Sequence, residues 1–305
     1  MSFTAVVLII ISAFTHAGWN LLSKSSKPSG AFFFFAIGFA TVCISPLALL
    51  FREELFLLPA RVWKLSASAG FCMALYYFAL AAAYRKGDIS IAYPIARSSP
   101  ILVVTIVSFI LGRSREIGPW ALAGILMVVA GCFLLPIRRF RDFSLKIYLK
   151  ACCAFALLAA IGTAGYTVID DTALSCMRSL PGGRFNAFNA AFLYLLIEGA
   201  ACFIWLAAGI MFIRDERIRF GQFFSGKRRD IRLAFLAGVS IFFTYGLVLS
   251  SMAFVKNVSY VAAFRQLSIP LGAFAGMWFL KEPRDIPRIT GILVIMAGLI
   301  LVGLG

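Results

Sequence analysis

Long apolar runs, each about the length of one bilayer crossing, alternate along the chain with short connections that hold most of its charges, prolines and glycines. A hydrocarbon core roughly 30 Å thick needs about 20 helical residues at 1.5 Å per residue. Ten runs meet that length, and the pattern predicts helices over Phe3 to Ser23, Gly30 to Phe51, Val62 to Tyr84, Ile89 to Leu111, Gly118 to Ile137, Ile147 to Ile169, Asn186 to Ile213, Ile231 to Val255, Val258 to Leu280 and Ile286 to Leu304.

The ten runs divide into two related sets of five. GRSREIGPWALAGILMVVAG (Gly112 to Gly131) closes the first set, and LKEPRDIPRITGILVIMAG (Leu280 to Gly298) closes the second. Upstream, IAYPIARSSPILVV (Ile91 to Val104) and SYVAAFRQLSIPLGAF (Ser259 to Phe274) place Arg97 and Arg265 at matching depths. HAGWNLLSK (His16 to Lys24) matches TAGYTVIDD (Thr163 to Asp171), and Gly124 and Gly131 match Gly291 and Gly298. Convergence of low-complexity apolar sequence is the alternative, and the matched polar residues weigh against it. Five is an odd number of crossings, so the second copy must run through the bilayer in the opposite sense. The expectation is an all-α integral membrane protein with ten transmembrane helices in an inverted five-plus-five repeat. The first copy is read as residues 1–143 and the second as residues 144–305. Such repeats rock against each other about a site near the midplane and give alternating access.

Composition removes other classes. With 62% hydrophobic and only 14% charged residues, a soluble domain could not cover its surface. The +16 formal charge lies in short connections rather than on one continuous face, so no nucleic-acid partner is expected. Lys and Arg are more than twice as frequent after odd-numbered crossings as after even-numbered ones, which puts the connections Arg138 to Lys150 and Arg214 to Arg232 in the cytoplasm and both termini outside. The first run lacks a basic region before it and has a counterpart in the second copy, so it is read as retained rather than as a signal peptide. Seven cysteines without a CxxC spacing suit packing. One histidine, no HExxH and no GxSxG leave little for an enzyme, and neither cofactor nor metal is expected.

On HAGWNLLSK, YPIARSSP (Tyr93 to Pro100) and SYVAAFRQLS (Ser259 to Ser268), set within the twofold repeat, the chain resembles the drug/metabolite transporter superfamily in its form with two EamA-type domains. The three strings are also similar to a branch linked to phosphonate utilisation. The resemblance implies ten helices, a central substrate cavity, permease or exporter activity, and a multi-pass place in the bacterial inner membrane. Two features depart from it. It implies cytoplasmic termini, against the charge count, and its Gly-Glu after the fourth crossing stands here as Gly112-Arg113 with Glu116 displaced.

Buried charge marks the candidate site, because an ionised side chain at mid-membrane costs at least about 2.5 to 3.5 kcal/mol. Arg97 and Arg265 each lie about eight residues into their runs, roughly 12 Å from one helix end. A guanidinium offers a planar fork for carboxylate, phosphate or phosphonate, so the pair is expected to line a cavity and bind an anionic solute. The alternative is that each satisfies helix-end carbonyls or pairs with a buried acid. Glu198, the acid nearest a mid-run position, is expected as an arginine partner or proton carrier, or as half of a fixed ion pair. Asp170 and Asp171 are placed at the interface, in water. His16, Asn20 and Lys24 share one helix face, where His16 is a candidate for a proton-coupled step or a packing residue. Trp19 and its match Tyr166 are candidate cavity walls, and Tyr93, four residues before Arg97, is a candidate ligand donor. Tyr76, Tyr77, Tyr245 and Tyr260 are weaker candidates. Pro94, Pro100 and Pro270 interrupt the arginine-bearing helices. The glycines are assigned to helix packing. The partners expected are a small anionic solute and the lipid bilayer, with a homodimer left open. A flippase or accessory subunit for a lipid-linked substrate, which would need a lateral apolar groove, is the competing reading.

Overall fold

The computed structural model describes residues 2–24, 29–86, 89–135, 137, 139–142, 151–224, 228–279 and 285–305; the side chains of 19–24, 89–94, 142, 224, 228, 275, 276, 278 and 279 lie outside that description. No strand occurs among the described residues. The α-helices are α1 (Phe3–Lys24), α2 (Gly30–Ile44), α3 (Arg52–Phe56), α4 (Ala60–Lys86), α5 (Ile89–Ile110), α6 (Pro119–Leu134), α7 (Ala151–Arg178), α8 (Ala187–Phe212), α9 (Arg214–Phe224), α10 (Arg228–Ser251), α11 (Val258–Phe264), α12 (Ser268–Phe279) and α13 (Ile286–Leu304). Six stretches among the described residues are long and apolar enough to cross a membrane: Gly30–Phe56, Ala60–Lys86, Ala151–Arg178, Ala187–Phe212, Arg229–Phe254 and Ile286–Leu304. Phe3–Gly18, Ile95–Ile110 and Pro119–Leu134 are shorter apolar helices. The protein is an all-α, multi-pass membrane protein, the class in which every backbone polar group is bonded within its own segment.

Helix packing follows a paired scheme. α4 packs on α7 as α10 packs on α1, and α4 packs on α8 as α10 packs on α2. α5 meets α7 while α1 meets α11 and α12, and α6 lies along α13. Small residues set the close crossings, since no hydrophobic force drives helices together in lipid. A Cβ on Gly131 would sit 2.7 Å from the Gly291 carbonyl oxygen, and one on Gly298 would sit 2.7 Å from that of Gly124. The glycines assigned to packing therefore bring the backbones of α6 and α13 into contact. Two further glycines do the same elsewhere. Gly70 on α4 faces Ala201 and Cys202 on α8, and Gly238 on α10 faces the Ala36 carbonyl on α2.

Two connections differ from the hydropathy pattern. α7 does not stop at Ile169 but continues to Arg178, because no proline or glycine intervenes before Pro181 and Gly182. Asp170 and Asp171 are thus carried inside the bundle, 0% and 9% exposed, not at the wet interface expected for them. The charged connection after α8 forms α9, whose Phe220 and Phe223 stack on Phe35, while Phe220 also meets Phe34 edge-on.

Candidate functional site

The site begins with a broken helix. α11 starts at Asn257, whose side chain accepts from the Ser259 N–H at 2.9 Å, and ends after Phe264. Arg265–Leu267 forms a 3-10 turn before α12 resumes. Pro270 has no N–H to return to the Gln266 carbonyl, so an unbroken α-helical ladder is impossible here. The Arg265 carbonyl accepts instead from the Ser268 hydroxyl at 2.9 Å.

The break turns the Arg265 guanidinium into an aromatic corner. Its Nη2 donates to the Tyr166 hydroxyl at 3.3 Å, and its central carbon lies 5.5 Å from the Tyr245 ring centroid and 6.0 Å from that of Tyr166. Cation–π attraction of this kind strengthens as the cation is desolvated. Among the described residues Arg265 forms no ion pair.

Around this corner lies a cavity enclosing roughly 530 Å³ of non-atom space, its open mouth included. Arg265, Tyr166, His16, Glu198, Tyr245 and Thr244 give it polar edges, and Ile37, Met73, Leu195, Ile241 and Phe242 give it apolar walls. Tyr76 and Tyr77 on α4 also line it. Seven candidates from the sequence therefore meet in one place: Arg265, Tyr166, Glu198 and His16, with Tyr76, Tyr77 and Tyr245 from the weaker set.

Arg97 stands elsewhere. It is not among the cavity-lining residues; its Nη2 donates to Ser268 Oγ at 2.7 Å and to the Arg265 carbonyl at 3.4 Å. The two arginines are thus not a joint lining of the cavity. Through Nη2 Arg97 serves carbonyl and hydroxyl acceptors at a helix end and ties α5 to the break that aims Arg265, while its Nε has no acceptor among the described residues. The side chains of Trp19, Asn20 and Tyr93 lie outside the described residues, as does that of Lys24. Tyr260 is far from the cavity in function: its hydroxyl donates to the Glu116 and Gly305 carbonyls and accepts from the Gly118 N–H.

The residue that sequence reasoning missed is Asp170. It accepts from the Tyr194 hydroxyl at 2.9 Å and from the Tyr245 hydroxyl. Its carboxyl also lies against that of Glu198. Two ionised carboxylates cannot hydrogen-bond each other, and with both ionised neither Glu198 oxygen has a donor among the described residues. The signal was present in spacing: Tyr166 precedes Asp170, and Tyr194 precedes Glu198, by four residues, which places each pair on one helix face.

Charged networks sit at both ends of the bundle. On the face carrying Ser2 and Gly305, Arg113 binds Glu116 at 2.8 Å and Asp171 at 2.7 Å, and donates to the Lys256 carbonyl. Asn257 completes it by donating to Glu116 at 2.9 Å. Burial works to raise the Glu116 carboxyl, but the hydrogen bonds from Arg113 and Asn257 outweigh it and hold the group below its ordinary value. Gly112, at φ +74°, caps α5 in a left-handed conformation and turns the chain so that Arg113 enters this network. On the opposite face Arg85 binds Glu216 at 2.8 Å, and the Gly30 N–H donates to the same carboxylate at 2.8 Å.

Residues 3–137 match the family model described as EamA-like transporter family. No curated protein matches the chain. A solved crystal structure, 15% identical, aligns over 100% of this chain and 98% of its own with a TM-score of 0.66, which shows a shared fold.

Proposed function

We propose that this chain, whose residues 3–137 match the model of the EamA-like transporter family, is a transporter of that kind and carries a small anionic metabolite across the membrane by alternating access. The observation that carries this reading is Arg265, a guanidinium held inside the bundle by a helix break, flanked by two aromatic rings and in no ion pair among the described residues. A buried guanidinium with no acid at ion-pair distance among the described residues favours an anionic guest, and its fork suits a carboxylate, phosphate or phosphonate group. Tyr166 and Tyr245 orient that guest, and the apolar walls accept its carbon skeleton. Arg97 positions the break rather than the guest.

The machinery proposed is ten crossings in an inverted five-plus-five repeat, residues 1–143 against residues 144–305, in the bacterial inner membrane. The paired packing scheme supports it, because α4 on α7 and α10 on α1 exchange when one set of five is mapped onto the other. The flippase alternative calls for a long apolar groove; ionisable edges on the described cavity favour a small polar solute instead.

A thermal-shift panel on detergent-purified protein tests the reading, with acetate, succinate, phosphate and methylphosphonate as anions, choline as cation and glucose as neutral solute. An anion that binds the folded state raises its melting temperature. We expect at least one anion to do so and Arg265→Gln to erase the response. A response to choline alone, equal in both proteins, overturns the reading.

A further inference from the structure

A site that binds an anion on Arg265 must also deal with the two acids beside it. Asp170 and Glu198 are both 0% exposed, their carboxyls lie against each other, and Glu198 lines the cavity with neither oxygen bonded to a described donor. A fully buried acid that lines a cavity and has no donor among the described residues needs a proton or a guest. Two touching carboxyls out of water strongly resist being ionised together.

We propose that Asp170 and Glu198 share a single exchangeable proton, and that taking it up from water is what lets an anion settle on Arg265. This rests on the anion reading above and names its coupling ion. With the proton aboard, the pair carries one negative charge at most, and the shared proton bridges one oxygen of each acid. When the proton leaves to water, a second negative charge faces the same arginine that the guest must use. The guest and that charge then compete. Anion binding and proton binding therefore strengthen each other by the same factor, as linkage requires.

Other groups facing the pair do not supply this function. On α4 they are Cys72, Tyr76 and Tyr77, and on α8 they are Tyr194 and Cys202. Tyr166 of α7 and Tyr245 of α10 donate hydroxyls, and phenols carry no charge near neutral pH. Arg265 is a fixed charge. His16 of α1 also lines the cavity and is the remaining side chain there that could carry a proton, so it is the control.

The test has two arms. Infrared difference spectra of ligand-free protein, taken from mildly acidic to mildly alkaline buffer, should show loss of a protonated-carboxyl band that is missing from an Asp170→Asn/Glu198→Gln double variant. A wild type with no such band overturns the proposal whatever binds. In the second arm, affinity for acetate and for methanesulfonate, whose charges stay fixed over that range, is followed against pH. One proton taken up per anion makes the wild-type affinity fall by about tenfold per pH unit once the pair begins to ionise. Glu198→Gln should bind on the alkaline side where the wild type has let go, Asp170→Asn should do the same, and His16→Asn should keep the wild-type slope. A wild-type affinity independent of pH, or a slope erased by His16→Asn alone, overturns the proton site while leaving the anion site standing. Failure of every anion to bind defeats the anion reading, and the infrared arm then decides the proton site by itself.

Discussion

Arg97 and Arg265 hold matched places in the chain and do different work. Arg97 bonds Ser268 and a backbone carbonyl through Nη2 while its Nε has no acceptor among the described residues, whereas Arg265 lines the cavity. We expect Arg97→Ala to lower the melting temperature, consistent with loss of a charged hydrogen bond worth about 1.5 to 3 kcal/mol, and to weaken the response to anions without erasing it. Arg265→Gln should erase that response, and thermal unfolding with and without the anion reads both. Their depth in the bilayer was legible in the sequence, because an arginine inside an apolar run needs no coordinates to be recognised. Which one meets the cavity was not, since that depends on which acceptors a helix break leaves free. Asp170 was hidden for a related reason: hydropathy ended its helix at the first acid, and only partners on α8 and α10 explain why the helix goes on. Glu116 yields a pH prediction outside the membrane. Its folded-state value is depressed, so its contribution to stability is present above the ordinary carboxyl range and is lost as pH falls through the lowered value. Glu116→Gln should flatten the acid limb of a melting-temperature profile against pH.

Packing between α6 and α13 is set by glycines whose backbones touch, and this was readable as a repeated spacing. Gly70 and Gly238 were passed over, although they are separated along the chain by the same interval as Arg97 and Arg265 and occupy corresponding crossings, α4 on α8 and α10 on α2. Periodicity finds a glycine; only a contact tells whether a backbone lies against it. A leucine at Gly131 would force the Gly291 carbonyl away from its 2.7 Å approach. Overpacking of this kind costs about 1 to 3 kcal/mol, so Gly131→Leu should lower the melting temperature in detergent, while leucine at Gly18, which has nothing within 4 Å of a built Cβ, should change it little. Equal effects at the two positions would remove the packing argument. The break between α11 and α12 was legible from Pro270, and the helix α9 was not, because a run of alternating charges reads as a loop until Phe220 and Phe223 find Phe35.

Across the whole molecule, adjacent residues on α7 connect two systems. Asp170 belongs to the carboxyl pair beside the cavity, and Asp171 pairs with Arg113 in the network that closes the face carrying Ser2 and Gly305. That network joins the α5–α6 corner to α7 and to the start of α11, so elements assigned to both sets of five are held together on one side of the site. If α7 moves when this face opens, it must part from Arg113 and shift Asp170 against Glu198 in the same step, which would tie opening to the proton carried there. Holding the network shut tests the connection directly. In a chain whose seven native cysteines are replaced, cysteines introduced by Arg113→Cys and Asp171→Cys can be joined by a short cleavable bis-thiol reagent. Reconstituted into vesicles, the joined protein should lose counterflow of whichever anion raises its melting temperature and recover it when the linker is cut. The single variants, treated alike, should keep flux under the reagent. A joined protein that transports at the rate of the unjoined one would mean that this face never opens during the cycle, and the network would then be a permanent seam of the fold rather than a gate.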